Sequence, residues 1–280
     1  MKTTRAARHS IWLLCLLMVA IAPFAQAVAG TKDFEPVEGQ QGKDVIWLPS
    51  AEILVEKMLD LAKVTAQDYV IDLGSGDGRT VIAAAKRGAR ALGIEYNPDM
   101  VEFSKKNAVK AGVADRAQFV KADIFESDFS QATVVTMFLL PELNLKLRPQ
   151  ILNLRPGTRI LSNTFTMGEW APDETVELSS AGDCITYCTA LFWLVPAKVG
   201  GEWKLPQGQL SLKQEFQKVS GTFSADGKTL PITNGVLRGA QIEFTAGDSQ
   251  FSGRVSDNLM QGSFRSGGGR GGSWSATRAQ

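Results

Sequence analysis

The stretch Val70-Ile71-Asp72-Leu73-Gly74-Ser75-Gly76-Asp77-Gly78-Arg79 decides the fold. Its apolar, β-branched start reads as a buried strand with an acid near its end. Glycines at alternate positions then turn the chain into a helix-forming run, about Arg79 to Arg87. Such a turn lets backbone approach a ligand closely, and the free N–H groups and positive dipole end of the next helix favour a carboxylate or phosphate. A second strand, Arg90-Ala91-Leu92-Gly93-Ile94-Glu95, follows and also ends on a carboxylate. Together these segments describe a nucleoside-binding α/β site.

The glycine spacing chooses between nucleosides. A dinucleotide fingerprint, G-x-G-x-x-G, counted from Gly74 and Gly76 needs glycine at position 79, where this chain has Arg79. The pattern favours S-adenosylmethionine. Asp72, at the tip of the first strand, is placed to hold its methionine ammonium. Glu95 suits a two-handed grip on the ribose hydroxyls. Asp123, in Lys121-Ala122-Asp123-Ile124 at the end of a third strand, stands where an adenine amino group would lie. The expected cofactor-binding set is Asp72, Gly74, Ser75, Gly76, Gly78, Glu95 and Asp123.

Strands and helices alternate outward from this motif. Ser50 reads as the N-cap of a helix with an apolar face at Leu54, Met58 and Leu61. Asn97-Pro98 opens another helix, running to about Ala111. Ala117 to Val120 and Ala132 to Phe138 read as strands, Glu142 to Leu152 as a helix and Thr158 to Ser162 as a fifth strand. Val176 to Leu178 and Ile185 to Val195 follow with no helix between them. The predicted fold class is α/β: a Rossmann-like, doubly wound, mainly parallel sheet ending in an antiparallel hairpin, over residues 45–198. Residues 199–280 are rich in Gly, Ser, Thr and Gln with short alternating runs, and predict a small antiparallel, all-β C-terminal domain. Asp226-Gly227 and Asn234-Gly235 are its turn signals. Gly267-Gly268-Gly269-Arg270-Gly271-Gly272 reads as a glycine-rich turn rather than an RNA-binding element.

Residues 1–29 stand apart. Lys2, Arg5 and Arg8 precede an apolar block from Ile11 to Ala22, then Pro23 and Ala25-Gln26-Ala27, with no acid before Asp33. This is the layout of a secretory signal peptide and predicts an exported, periplasmic or membrane-associated protein. A mitochondrial presequence is the competing reading. Residues 30–44 form a polar N-terminal arm. Cleavage removes His9, the sole histidine among 280 residues, so the mature chain has no Ser-His-Asp triad, Cys-His pair or histidine-bound metal. With 30 basic and 29 acidic residues, no global field points to nucleic acid. Cys184 and Cys188 remain. On one strand they would stand roughly 13 Å apart, too far to pair. A tight turn between them permits a bridge in an oxidising compartment. Both readings stand at this point.

The motif region resembles the seven-stranded class I methyltransferases. Residues 45–50, Asp72 to Arg79, Ala132 to Pro141 and Arg155 to Ser162, with Phe165, Met167 and Trp170, are similar to the protein-lysine methyltransferases that act on the c-ring protein of ATP synthase and on the adenine nucleotide translocase. The match covers about residues 42–174 and not the β domain. It implies methyl transfer from S-adenosylmethionine to lysine of a protein, with a membrane protein among the candidate partners and no metal. The catalytic residues are not identified by it. Phe138, Phe165, Trp170 and Trp47 are candidate walls of an acceptor channel. Where base-methylating relatives carry an Asn/Asp-Pro-Pro-Tyr/Phe box, this chain has Phe138-Leu139-Leu140-Pro141, and base methylation is not expected. Two alternatives remain: a non-catalytic exported nucleoside-binding or scaffold protein, and a small-molecule methyltransferase.

Overall fold

The computed structural model describes residues 34–178 and 184–279; the leader read above lies outside the described residues. The first layer is a seven-stranded sheet of β1 (Tyr69–Leu73), β2 (Arg90–Glu95), β3 (Ala117–Lys121), β4 (Val134–Met137), β5 (Arg159–Asn163), β6 (Glu174–Glu177) and β7 (Thr189–Leu194). Their order is β3-β2-β1-β4-β5-β7-β6. β1 to β5 run parallel, β7 is antiparallel to β5, and β6 is antiparallel to β7. The predicted parallel sheet with a terminal hairpin is the observed one.

Side-chain alternation sorts the sheet residues onto two faces. Val70, Val134, Leu161, Ala190 and Phe192 pack with α1 (Glu52–Leu61), α2 (Arg79–Lys86) and α3 (Pro98–Lys110). Ile71, Leu73, Val135, Met137, Ile160 and Trp193 face the other way, toward α4 (Pro141–Ile151). Covering both faces is what a parallel sheet requires. The order reverses between β1 and β4, so the carboxyl ends of those strands open a crevice. Among the described residues no helix is long and apolar enough to cross a membrane.

Two local expectations are corrected. Ser50 does not cap α1: the N-cap is Ala51, with no side-chain hydrogen bond. The Ser50 hydroxyl instead accepts from Asn163 Nδ2 at 2.9 Å, and its carbonyl accepts from Arg79 Nη1 at 2.6 Å. Asn97 does cap α3, accepting from the amides of Asp99 and Met100. The base of β1 is fixed by Asp68, which accepts from Arg159, Thr133 and the Thr65 amide. Burial pushes its carboxyl up, and those three donors together more than reverse this, leaving it below the usual carboxylate range.

The C-terminal domain is a closed barrel of β8 (Gly201–Leu205), β9 (Gly208–Glu215), β10 (Lys218–Ala225), β11 (Lys228–Arg238), β12 (Gln241–Ala246), β13 (Ser249–Ser256), β14 (Leu259–Ser266) and β15 (Gly271–Arg278). β15 pairs back onto β8 through Thr277 with Lys204 and Arg278 with Trp203, which removes the open edges. Trp203, Leu210, Ile242, Phe244, Met260 and Trp274 fill the interior. Asp226-Gly227 is a hairpin turn, as expected. Asn234-Gly235, the second correction, is not: it lies inside β11 as a bulge, with Asn234 at φ 52° and Gly235 so close to Val219 that a Cβ would stand 2.1 Å from its carbonyl oxygen. The bulge bends a long strand so that the sheet can close.

Barrel and sheet meet at Trp170. Its ring is fully buried, stacked on Phe216 of the β9–β10 turn at 6.0 Å and 10°. It also packs on Trp193, whose indole N–H donates to the Trp170 carbonyl at 2.9 Å. Gln217 Nε2 donates to the Ala171 carbonyl across the same seam. Trp170→Ala should therefore cost about 3–5 kcal/mol of stability, measured by denaturant unfolding, while folded variant protein keeps parental cofactor affinity. A loss below about 1 kcal/mol would contradict this account of the seam.

Candidate active site

The turn after β1 is rigid and locked from three sides. The amides of Gly74 and Ser75 both donate to the Ile94 carbonyl, at 2.9 and 3.1 Å. From α3, Ser104 Oγ donates to the Gly76 carbonyl and Asn107 Nδ2 to the Asp77 carbonyl. Gly78, at φ 84°, caps α2, and a Cβ there would stand 2.7 Å from the Phe119 ring. At Gly76 a Cβ would stand 2.5 Å from Trp47 Nε1. Arg79 occupies the position where a dinucleotide site needs glycine. Its guanidinium grips Asp77 with two nitrogens, at 3.0 and 2.6 Å, and reaches back to the Ser50 carbonyl. The N-terminal segment is thereby tied over the turn.

The carboxylates expected at the strand tips converge on one cavity. It is lined by Asp72, the glycine turn, Glu95, Asp123 and the segment from Gln40 to Ser50, with Phe138 and Leu139 also in its wall. Asp72 lies against Gly93 and Thr136 in register, and its Oδ1 accepts from Thr136 Oγ1 at 2.6 Å. Burial, with added repulsion from Asp77 and Glu95, pushes its carboxyl up to about 7 against the pull of Thr136. Glu95 is held by two backbone amides: Oε2 accepts from Gly76 and Oε1 from Asn97. Each oxygen retains a lone pair. Asp123 is engaged on both oxygens, by Lys43 and by the Phe125 amide at 2.9 Å. The Lys43 contact leads in holding its carboxyl below the usual range. Lys43 also lies 4.8 Å from the Tyr96 ring centroid, so the arm is fastened across the cavity.

Trp47 and Phe138 line the cavity, and Phe165 stacks on Phe138 at 5.9 Å and 14°. Trp170 does not join them. It belongs to the barrel seam described above, where the rings of Phe216 and Trp193 hold its indole in the core. Tyr187 is the aromatic neighbour that sequence reading missed; its ring meets both Phe138 and Phe165. Cys184 and Cys188 are bridged, with Cα atoms 5.8 Å apart, because the chain turns at Tyr187 (φ 57°) rather than running extended. Lys43, Arg79 and Thr136 were also missed. Only Arg79 left a signal, in its place within the glycine motif.

The cavity fits an adenosyl sulfonium ligand on its own chemistry. It offers a buried carboxyl for an ammonium, a turn kept bare at Gly74 and Gly76 where Leu139 and Trp47 close in from the cavity wall, and a buried Ser75 Oγ without a hydrogen-bond partner among the described residues. Among the described residues no cluster of His, Cys, Asp and Glu is arranged to hold a metal. A doubly wound sheet of this order with this crevice defines a class I, S-adenosylmethionine-dependent methyltransferase.

Comparison with known proteins narrows the class. Residues 72–174 match a family model described as the ANTKMT methyltransferase domain. A protein-lysine N-methyltransferase of Saccharolobus islandicus is 44% identical over 137 residues, which are 48% of this chain and 85% of that protein. A human lysine N-methyltransferase, named for the c-type component of ATP synthase, is 34% identical, over 54% of this chain and 69% of its own length. Among solved structures, an RNA methyltransferase from Salinibacter ruber in complex with S-adenosyl-L-homocysteine is 48% identical with a TM-score of 0.50, over 54% of this chain and 96% of that one. The chain belongs to this family of S-adenosylmethionine-dependent methyltransferases. The barrel lies outside the family match.

Asp72 generates a test that needs no ligand. Its folded pKa lies above the ordinary value of 3.8, so its contribution is favourable below that value and is lost as pH rises through about 7. Asp72→Asn should remove that loss, up to ~4 kcal/mol between about pH 4 and 8, in denaturant titrations of the empty protein. An unchanged pH profile would show that Asp72 is not the buried acid described.

Proposed function

We propose that this protein methylates the side-chain amine of lysine in a protein substrate, with residues 45–198 as the catalytic domain and 199–280 as an accessory barrel. The observation that carries this reading is the group of aromatic rings at Phe138, which adjoins the cavity lined by Asp72 and Glu95. The relatives named for protein lysine support it, as does the mouse relative named for the adenine nucleotide translocase, 33% identical over 120 residues. In this reading Asp72 holds the methionine ammonium. Gly74, Ser75, Gly76 and Gly78 shape the turn over the carboxylate end, Glu95 takes the ribose hydroxyls, and Asp123 borders the adenine.

Bound S-adenosylmethionine supplies an electrophilic methyl carbon on a sulfonium. The chain's own part is alignment. A lysine amine has an ordinary pKa of about 10.4 and must lose its proton before it attacks. Rings at Phe138 and Phe165 exclude water from the amine, which lowers its pKa. The proton leaves to solvent, so no histidine is needed. The amine lone pair forms the new C–N bond as the C–S bond breaks, and sulfur retains the electron pair.

We also propose that the protein works outside the cytoplasm. The leader at residues 1–29 and the Cys184–Cys188 bridge support export to an oxidising compartment. N-terminal sequencing of the secreted and membrane fractions tests this: a mature start near residue 28 or 30 is expected, and an intact Met1 in the cytosol overturns it.

Incubation with methyl-labelled S-adenosylmethionine and a membrane extract should give labelled protein bands whose label resides in methyl-lysine after hydrolysis. Label in solvent-soluble product alone, or in RNA, would overturn the lysine reading, and binding without transfer would favour a scaffold role. Two substitutions separate the halves of the site. Glu95→Ala should abolish cofactor binding by calorimetry with the circular dichroism spectrum retained. Phe138→Ala should cut turnover about tenfold or more with cofactor affinity within about twofold. Parental values in either variant would remove that residue from its assigned role.

A further inference from the structure

We propose that Tyr187, held in place by the Cys184–Cys188 bridge, is the third wall of the acceptor channel and positions the incoming amine; this rests on the lysine reading above. The ring of Tyr187 lies 5.4 Å from Phe138 and 5.6 Å from Phe165, tilted at 59° and 49°. Phe138 and Phe165 alone form a nearly parallel stack, which offers a cation an edge. Tyr187 packs against both rings, so the three form one contiguous aromatic box with no gap between its members, and Phe138 connects that box to the cavity lined by Asp72. Tyr187 is 41% exposed, so the outer surface of the box meets solvent. A straight alkylammonium laid along that surface on its way to the cavity keeps ring contacts that compensate for part of its lost hydration.

The backbone here is arranged at some cost. Tyr187 (φ 57°) and Thr164 (φ 62°) both occupy the left-handed region, which L side chains adopt rarely, and β-branched ones least of all. The two belong to adjacent strand ends: the Thr164 amide donates to the Thr189 carbonyl at 2.7 Å, and the Thr189 amide donates to Thr164 Oγ1. Thr164 thereby aims Phe165 at the box from the end of β5, and Tyr187 aims its own ring from the start of β7. Cys184 and Cys188, four positions apart, close a small ring around Tyr187. That ring limits the alternatives open to the loop, so the aromatic wall is preorganised before substrate arrives. Tyr187 is a positioning residue; it takes no proton and forms no bond.

The test uses the mature full chain saturated with S-adenosylhomocysteine and titrated with n-butylammonium, the side-chain cation of lysine, by NMR. Saturable shifts confined to the ring protons of Phe138, Phe165 and Tyr187 are expected. The dissociation constant should rise about fivefold or more in Tyr187→Ala and in the Cys184→Ser/Cys188→Ser double variant. It should stay within about twofold in Tyr187→Phe, which keeps the ring. S-adenosylhomocysteine affinity should remain parental in all three, which excludes general misfolding. In methylation assays the same variants should raise the acceptor KM by a similar factor with kcat little changed. No saturable shift in the parent protein, equal butylammonium affinity in Tyr187→Ala, or loss of S-adenosylhomocysteine binding in that variant would each overturn the proposal. Butylammonium binding with no labelled protein in the membrane-extract assay would sink the lysine reading while leaving the box intact.

Discussion

A carboxyl group sealed into the tip of the sheet's central strand is the constraint from which the site is built. Asp72 sits between β2 and β4, in register with Gly93 and Thr136. A buried anion needs hydrogen bonds or a counter-charge. The Thr136 hydroxyl supplies one bond, and the nearby acids Asp77 and Glu95 add repulsion rather than relief. Among the described residues no lysine or arginine closes the deficit. The folded protein therefore holds an under-satisfied acidic site at the place where the strand order reverses. A cationic group brought to that point would supply the missing counter-charge.

Next to this acid the chain turns through residues 74–78, where Leu139, Trp47 and the Phe119 ring leave no room for side chains at Gly74, Gly76 and Gly78, and helix α2 starts from a left-handed glycine. A turn this bare has few contacts of its own. It is stiffened by Ser104 and Asn107 from α3 and by Glu95, which ties the Gly76 amide to the end of β2. Arg79 then fastens the outer segment at Ser50, and Lys43 fastens it again at Asp123. Rigidity is imported from neighbours because glycine cannot provide it.

What the residue string disclosed, and what it hid, follows from how local each signal is. The strand, glycine turn and helix from Val70 to Arg87 announce themselves through adjacent residues, and the carboxylates at 72, 95 and 123 follow once strand ends are located. Features set by distant partners were not legible. Ser50 has a helix-capping side chain but sits beside Asn163, which outcompetes the helix. Asn234-Gly235 is a strong turn pair, yet Val219 on the adjacent strand leaves room only for a bulge. Barrel closure depends on β15 meeting β8, and no short pattern encodes that pairing. The cysteine bridge turned on a left-handed tyrosine, which composition gives no reason to expect. Trp170 looked like its neighbour Phe165 in character, and only the Phe216 ring across the seam explains why it is core.

That seam gives the barrel a structural connection to the site. Phe165 and Trp170 lie on one short segment after β5, with the first in the aromatic box and the second in the barrel interface. The segment between them is held along its length. Asn144 donates to the carbonyls of Phe165 and Thr166, Ser162 donates to Phe165, and Arg148 donates to Met167. Met167 and Trp170 are bridged to each other, and the Arg148 guanidinium also lies over Phe216. The β9–β10 turn, Trp170 and Phe165 thus belong to one continuously packed run that is anchored at several points. Interiors packed this tightly transmit strain rather than absorb it. Through that run the barrel supports the Phe165 ring without itself lining the cavity.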